Sequence, residues 1–322
     1  MSTDLNKHLN CVLESYKIKK EQVLLDKHIS KGDEIKEALE EKYGTNIYTP
    51  FNSGSYAKNT AVNKKFDFDF MVPFKRDAFD TLENMFTDLF EFLDDKYKST
   101  AIIKKQKVSI GLEFYPDDDG DIIKIDIVPG RELNKDQYEK DNKLNLYVNQ
   151  TFGKLNAGSD YIRSNIQAQI SKIKDRATKE KDTIRSIIRL LKVWKINRNQ
   201  QIKSFFIELI TIKAIDSKKV SGDLWELLRE VLEFIRDEVK TVSLPDPGNT
   251  SNEVADTLTD YEKIALSDNM KYLLERVEEN SDNIKIYFPV NEKHPCTEES
   301  KSGNKYEIKK EGVFVPPPVR FG

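Results

Sequence analysis

Two aspartates interrupt the apolar run FDFDFMV, at Asp67 and Asp69. Residues two apart on a strand point the same way, so the two carboxylates share one face while Phe66, Phe68 and Phe70 share the other. The phenylalanine face reads as core. Carboxylates held side by side repel unless a cation sits between them or the strand is half exposed at an edge, and the D-x-D pattern alone leaves both readings open. Two further stretches bear on the choice. Gly54-Ser55 follows a short β-rich run and opens SYAKNTAV, a turn into a helix start whose N–H groups and hydroxyl suit phosphate oxygens. Asp126 alternates with Ile125 and Ile127 in IIKIDIVP, a third carboxylate projecting from one face of an expected strand. Mg²⁺ keeps octahedral oxygen coordination and is commonly held by a few carboxylates plus substrate phosphates. Asp67, Asp69 and Asp126 are therefore candidate ligands for two Mg²⁺ ions, with Mn²⁺ as a substitute. In a two-metal site one ion activates an attacking hydroxyl and the other steadies the triphosphate and the leaving pyrophosphate. The chemistry implied is nucleotidyl transfer.

Such groups need a rigid frame, and the hydrophobic pattern supplies its parts. LNKHLNCVLESY places Leu5, Leu9, Val12 and Leu13 on one helical stripe, and GDEIKEALEEKYG repeats the logic up to a stop at Gly44. Residues 1–45 are expected to form a helical brace for two lobes. Residues 46–158 read as an α+β sheet lobe: the β-rich runs NIYTPFNS, FDFDFMVPF, AIIKKQ, KVSIGLEFY and DIIKIDIVP surround one amphipathic helix, DAFDTLENMFTDLFEFLDDKY. Asp117-Asp118-Asp119-Gly120-Asp121 reads as a tight hairpin turn with glycine at the position needing positive φ, and its spacing excludes an EF-hand loop. A second hairpin is expected around LNLYVNQTFGKL. Residues 159–290 read as a helical lobe built from YIRSNIQAQISKIK, DTIRSIIRLLKVWKIN, KSFFIELITIKAID, GDLWELLREVLEFIRDEV and NEVADTLTDYEKIALSDNMKYLLERVEEN. In the second of these, Ile184, Ile187, Ile188, Leu191 and Trp194 form a single face. Residues 291–322 are a polar segment and tail ending in VFVPPPVRFG, whose three prolines forbid helix.

Composition narrows the partners. With 52 Lys and Arg against 55 Asp and Glu, the net charge of −3 supplies no global field for a nucleic acid polymer or an anionic membrane, so phosphate binding must be local. No apolar run approaches the roughly 20 residues of a membrane span. The two cysteines, Cys11 and Cys296, lie far apart in sequence, which points to a reducing cytoplasm without a disulfide framework. His294-Pro295-Cys296 is read as an ordinary loop rather than a zinc site, because His8, His28 and Cys11 lack paired spacing with it.

The stretch GSYAKNTAVNKKFDFDF followed by IDIVPG resembles the polymerase-β-like nucleotidyltransferase superfamily. With IIRLLKVW and KSFFIELI added, it resembles more narrowly the bacterial cGAS/DncV-like nucleotidyltransferases (CD-NTases), from about Phe51 to about Asp260. PDPGNTSNEVADT is similar to that family's DP-x-x-P-x-N turn, with Thr250 or Ser251 in place of the second proline. The resemblance implies a polymerase-β-like sheet lobe plus an α-helical lobe, bilobal around a central cleft. It implies that Gly54 and Ser55 hold the triphosphate, that Asp67, Asp69 and Asp126 hold Mg²⁺, and that Asp126 acts toward the attacking ribose hydroxyl. Lys192 would reach the phosphates, Ser204 would touch the γ-phosphate, and Phe205 would stack on a nucleobase where the family usually has Tyr. On periodicity alone Lys192 is equally a solvated lysine and Phe205 equally a core residue. Lys58, Lys64 and Lys65 would add positive potential near the triphosphate or simply line a solvated loop.

The implied activity is cyclic oligonucleotide synthesis: NTPs are joined into a cyclic di- or trinucleotide second messenger, in the family a signal of CBASS antiphage defence that acts through a separate effector. The resemblance also raises conjugation of the C-terminal Gly322 by a ubiquitin-transfer-like partner, against an exposed tail with no function. The rivals are a linear oligonucleotide or RNA-tailing enzyme, which the near-neutral charge weighs against, and an inactive nucleotide-binding scaffold, which the three aspartates weigh against.

Overall fold

The structure, a computed structural model, describes residues 3–64, 67–152, 160–217 and 222–296. Asp4 caps α1 (Leu5–Ser15) by accepting the Lys7 N–H at 3.0 Å. The next helix, α2 (Gln22–Tyr43), begins earlier than its sequence pattern suggests and ends where Gly44 takes φ 50°. The two helices separate their loyalties: α1 buries Leu9 and Val12 among the later helices, whereas α2 buries Leu25, Ile35 and Leu39 in the core of the sheet.

The chain then builds β1 (Phe51–Asn52), α3 (Gly54–Ala57), β2 (Phe68–Phe74), α4 (Leu82–Tyr97), β3 (Ala101–Lys105), β4 (Ile110–Phe114), β5 (Lys124–Glu132), α5 (Tyr138–Asp141), β6 (Leu144–Tyr147) and β7 (Tyr161–Ser164). Strands order as β1-β2-β5-β4-β3, with β6 pairing the far end of β5 and β7 pairing β6. Among the described residues only β2 and β5 pair in parallel, and this places Asp69 opposite Asp126. Thr81 caps α4, which lays Phe86, Leu89 and Leu93 on the face already occupied by Phe68, Phe70 and Ile125. That apolar seam fixes the register of β2, since a one-residue slip would turn Asp69 into the core.

The loop between β4 and β5 is longer than a tight hairpin turn. Gly120 does take positive φ (81°), but Asp117 folds the loop onto itself by accepting the N–H groups of Asp119 and Asp121 at 3.0 and 2.9 Å. Lys27 of α2 places its ammonium 2.7 Å from each of Asp117, Asp119 and Asp121, so a protein cation already sits among the acids of this loop and offsets part of their charge.

The helical part comprises α6 (Ile166–Lys174), α7 (Thr178–Asn197), α8 (Ser204–Ser217), α9 (Leu224–Glu238), a small hairpin of β8 (Pro245–Asp246) and β9 (Asn249–Glu253), α10 (Asp260–Glu279) and α11 (Ile284–Tyr287). The Ile184, Ile187, Ile188, Leu191 and Trp194 face of α7 is buried as expected. Two expected helix starts are displaced. Tyr161–Ser164 forms β7 and pairs antiparallel with β6, and Asn165 then caps α6. Likewise the stretch from Asn252 enters β9, and α10 begins only at Asp260, where Thr259 and Glu262 form a reciprocal capping box. In both cases an available strand partner and a capping side chain outweigh the helical pattern upstream.

The cysteines meet despite their separation, with the Cys296 Sγ 3.7 Å from the Cys11 carbonyl oxygen, and both are free thiols. His294 hydrogen-bonds Glu21 at 2.7 Å. No helix among the described residues is long and apolar enough to cross a membrane.

Candidate active site

The alternation in FDFDF is realised on β2. Phe68 and Phe70 are 2% and 0% exposed, while Asp69 points to the opposite face beside Asp126; Phe66 lies outside the described residues. Asp67 immediately precedes the strand. Burial, together with the carboxylates of Asp126 and Asp67, pushes Asp69 up to about 7, with Lys58 and Lys192 opposing the shift. Burial and Asp67 likewise raise Asp126, whose Oδ1 accepts a 2.9 Å hydrogen bond from the Gln106 amide.

Gly54 begins α3 with φ 61°, and a Cβ there would lie 1.9 Å from Asp69 Oδ2. Both conformation and space therefore demand glycine. As α3 is a single turn, it carries little macrodipole, and a phosphate at this turn would be met by its backbone N–H groups and the Ser55 hydroxyl. Ser53 anchors the turn by donating its N–H to the Asp69 carbonyl at 2.7 Å. Replacing Gly54 with Ala should displace Asp69 and lower turnover by about 10²-fold, since misplacement of a reacting group by about 1 Å carries that cost. Steady-state kinetics on the folded variant checks this, and unchanged turnover would contradict the packing.

Lys192 is not a solvated lysine. It is 5% exposed, and its ammonium bonds Thr60 Oγ1 at 2.9 Å and Glu208 Oε1 at 3.1 Å. Lys58, in the turn after α3, bonds the other Glu208 oxygen at 2.7 Å, and Thr60 donates to Oε1 at 3.1 Å. Burial alone would raise Glu208, but the two ammonium groups outweigh it and hold the carboxyl down to about 2. The network ties the Gly-Ser turn to α7 and α8. Its centre, Glu208, was missed in the sequence; the available signal was a lone acid in the apolar run FFIELITI.

A cavity of about 660 Å³ joins these parts. Gly54, Ser55, Asp67, Asp69, Lys192, Ser204 and Phe205 all line it; Asp126 is not part of the lining but stands opposite Asp69 in the sheet. Ser204 is the first residue of α8 and accepts a 3.4 Å hydrogen bond from Lys195, a cavity-lining lysine one turn beyond Lys192 that the sequence reading overlooked. Phe205 packs on the helical core and also lines the cavity, with the Lys58 ammonium 4.8 Å from its ring centroid. Lys64 turns aside to Asn197, and Lys65 lies outside the described residues. A larger groove of about 990 Å³, between α9 and α10, contains none of the candidate residues.

Asp67, Asp69 and Asp126 suit a hard divalent cation. They offer oxygen donors only, burial and neighbouring carboxylates raise Asp69 and Asp126, and the missing side chain of Gly54 leaves room for the Asp69 carboxylate. Among the described residues, the acidic trio with ligand atoms all within 4.8 Å of one another is instead Asp117, Asp119 and Asp121, where Lys27 already sits.

No protein-family model matches the chain, and no curated protein does. Solved structures do match. CdnC of E. coli MS115-1, solved with ATP, aligns over 89% of this chain and 98% of its own, with TM-score 0.69 and 18% identity. The fold is that of the CD-NTases. Elizabethkingia meningoseptica CdnE, a cyclic dinucleotide synthase solved with GTP and Apcpp, shares this CD-NTase fold over 75% of this chain and 90% of its own, with TM-score 0.58 and 18% identity. Vibrio cholerae DncV, a cyclic AMP-GMP synthase solved with the linear intermediate pppA(3′,5′)pG, shares it over 76% and 70%, with TM-score 0.60 and 14% identity.

Proposed function

We propose that this chain is a divalent-cation-dependent nucleotidyltransferase that joins NTPs into a cyclic di- or trinucleotide and releases pyrophosphate at each step. One observation carries the reading: Asp69 and Asp126 stand in register over the Gly54 turn, beside a cavity that also holds Ser204 and Phe205, on the fold of cyclic dinucleotide synthases. Gly54 and Ser55 receive the triphosphate, helped by Ser204 and the cationic side chains of Lys195 and Lys192. Phe205 offers its ring to a nucleobase. Asp67, Asp69 and Asp126 would hold two Mg²⁺ ions, which supply charge neutralisation of the triphosphate and a lowered pKa for the attacking hydroxyl. Asp126 would act toward that hydroxyl, and the linear intermediate would turn over in the same cavity so that its free hydroxyl meets its own triphosphate.

A cyclic product of this kind would serve as a cytoplasmic second messenger of CBASS defence, read by a separate effector. Conjugation through Gly322, which lies outside the described residues, is part of the same proposal and is checked by the intact mass of protein taken from cells carrying its genetic neighbours. The linear-product alternative shares the site but needs an acceptor strand. Pyrophosphate release from mixed NTPs without RNA supports the proposal, whereas release that depends on added RNA contradicts it.

A further inference from the structure

Gln106 closes the turn between β3 and β4, and its side chain reaches back over the sheet. Its Nε2 donates to Asp126 Oδ1 at 2.9 Å, and its Oε1 accepts from the Ser109 hydroxyl at 2.7 Å. The two bonds set the amide's orientation, because a carboxylate can only accept and the hydroxyl then donates to the remaining oxygen. Neighbouring structure is shaped around the pair. Gly111 sits opposite Asp126 on β4, and a Cβ there would lie 2.5 Å from Gln106 Nε2 and 3.0 Å from Asp126 Oδ1. The side-chain bond is not needed to close the turn, which the Gln106 N–H does by bonding the Ser109 carbonyl at 2.8 Å.

We propose that Gln106, held by Ser109 and admitted by Gly111, is a positioning residue that fixes the Asp126 carboxylate for the divalent cation. This inference rests on reading Asp67, Asp69 and Asp126 as cation ligands. The terminal torsion of an aspartate is broad, so an unrestrained Asp126 would present its oxygens over a range of directions. A donor fixed on Oδ1 leaves Oδ2 as the oxygen offered to the cation. The donor is also neutral, although Lys104, Lys105 and Lys107 surround it in sequence. An ammonium at this place would compete with the cation for the carboxylate, whereas an amide orients it without cancelling its charge. Outer hydrogen-bond partners of ligating side chains typically govern affinity by 10–100-fold.

The test uses the full-length protein and Mn²⁺ as the probe, with affinity measured by calorimetry. Gln106→Leu is expected to weaken Mn²⁺ binding about 10-fold and to lower kcat by a similar factor, with KM for NTP unchanged. Ser109→Ala, which frees the amide to turn, is expected to give a smaller loss in the same two quantities. Melting of the metal-free variants should match wild type, which separates positioning from a folding role. If Gln106→Leu does not fold, Ser109→Ala alone decides. Wild-type Mn²⁺ affinity and kcat in the folded variants would overturn the positioning role while leaving the ligand assignment in place. Mn²⁺ binding that survives both Asp69→Asn and Asp126→Asn would overturn the ligand assignment and this inference with it.

Discussion

Asp69→Asn should reduce pyrophosphate release from NTPs on the order of 10³-fold or more, because the charge that holds a cation against the triphosphate is lost from the centre of the site. The same substitution should not weaken the metal-free fold. Burial and the neighbouring carboxylates push Asp69 up to about 7 from an ordinary value of 3.8, so the folded chain holds this proton more tightly than the unfolded chain. Stability without metal therefore falls as pH rises from about 4 through 7, and the neutral amide removes this component of the slope. Urea unfolding in EDTA at pH 5 and pH 8 checks the sign. A variant that retains pyrophosphate release, or one that unfolds much more readily than wild type at pH 8, would contradict the role given to Asp69.

Glu208→Ala carries the largest expected effect on folding. It would leave the Lys58 and Lys192 ammonium groups buried and facing each other without their shared carboxylate. Breaking a buried pair by removing one partner typically costs about 3–5 kcal/mol, a large share of the ~5–15 kcal/mol that holds a typical domain together. Glu208→Gln keeps hydrogen-bonding capacity and should cost less. Because Lys58 and Thr60 belong to the turn after α3, while Lys192 and Glu208 belong to α7 and α8, surviving folded protein should also bind NTP more weakly. Denaturant titration gives the stability and KM the second effect. A loss under about 1 kcal/mol for Glu208→Ala would mean that the network contributes little.

How much of this could be read beforehand depended on whether a feature is local. The alternation of Phe68, Asp69 and Phe70 is a property of strand geometry and was legible, as was the α7 stripe from Ile184 to Trp194. The candidate residues Gly54, Ser55, Asp67, Asp69, Lys192, Ser204 and Phe205 do come together around one cavity. What escaped was decided by tertiary partners. Glu208 and the buried pairing of Lys192 make sense only when two helices and the turn after α3 converge, and Gln106 only when β3, β4 and β5 are in register. Tyr161–Ser164, and Asn252 and Glu253 of β9, looked helical because their own patterns say nothing of the strands that await them, β6 and β8. Lys27 entering the Asp117 loop is another such case, an ion pair across elements that no spacing rule reveals.

The most direct test of the central claim is mass spectrometry of the phosphatase-treated product formed from the four NTPs and Mg²⁺ without added nucleic acid. The account predicts a phosphatase-resistant species with the mass of a cyclic di- or trinucleotide, absent when Asp69 or Asp126 is replaced by Asn. A product that phosphatase degrades fully, or extension only of added RNA, would contradict it.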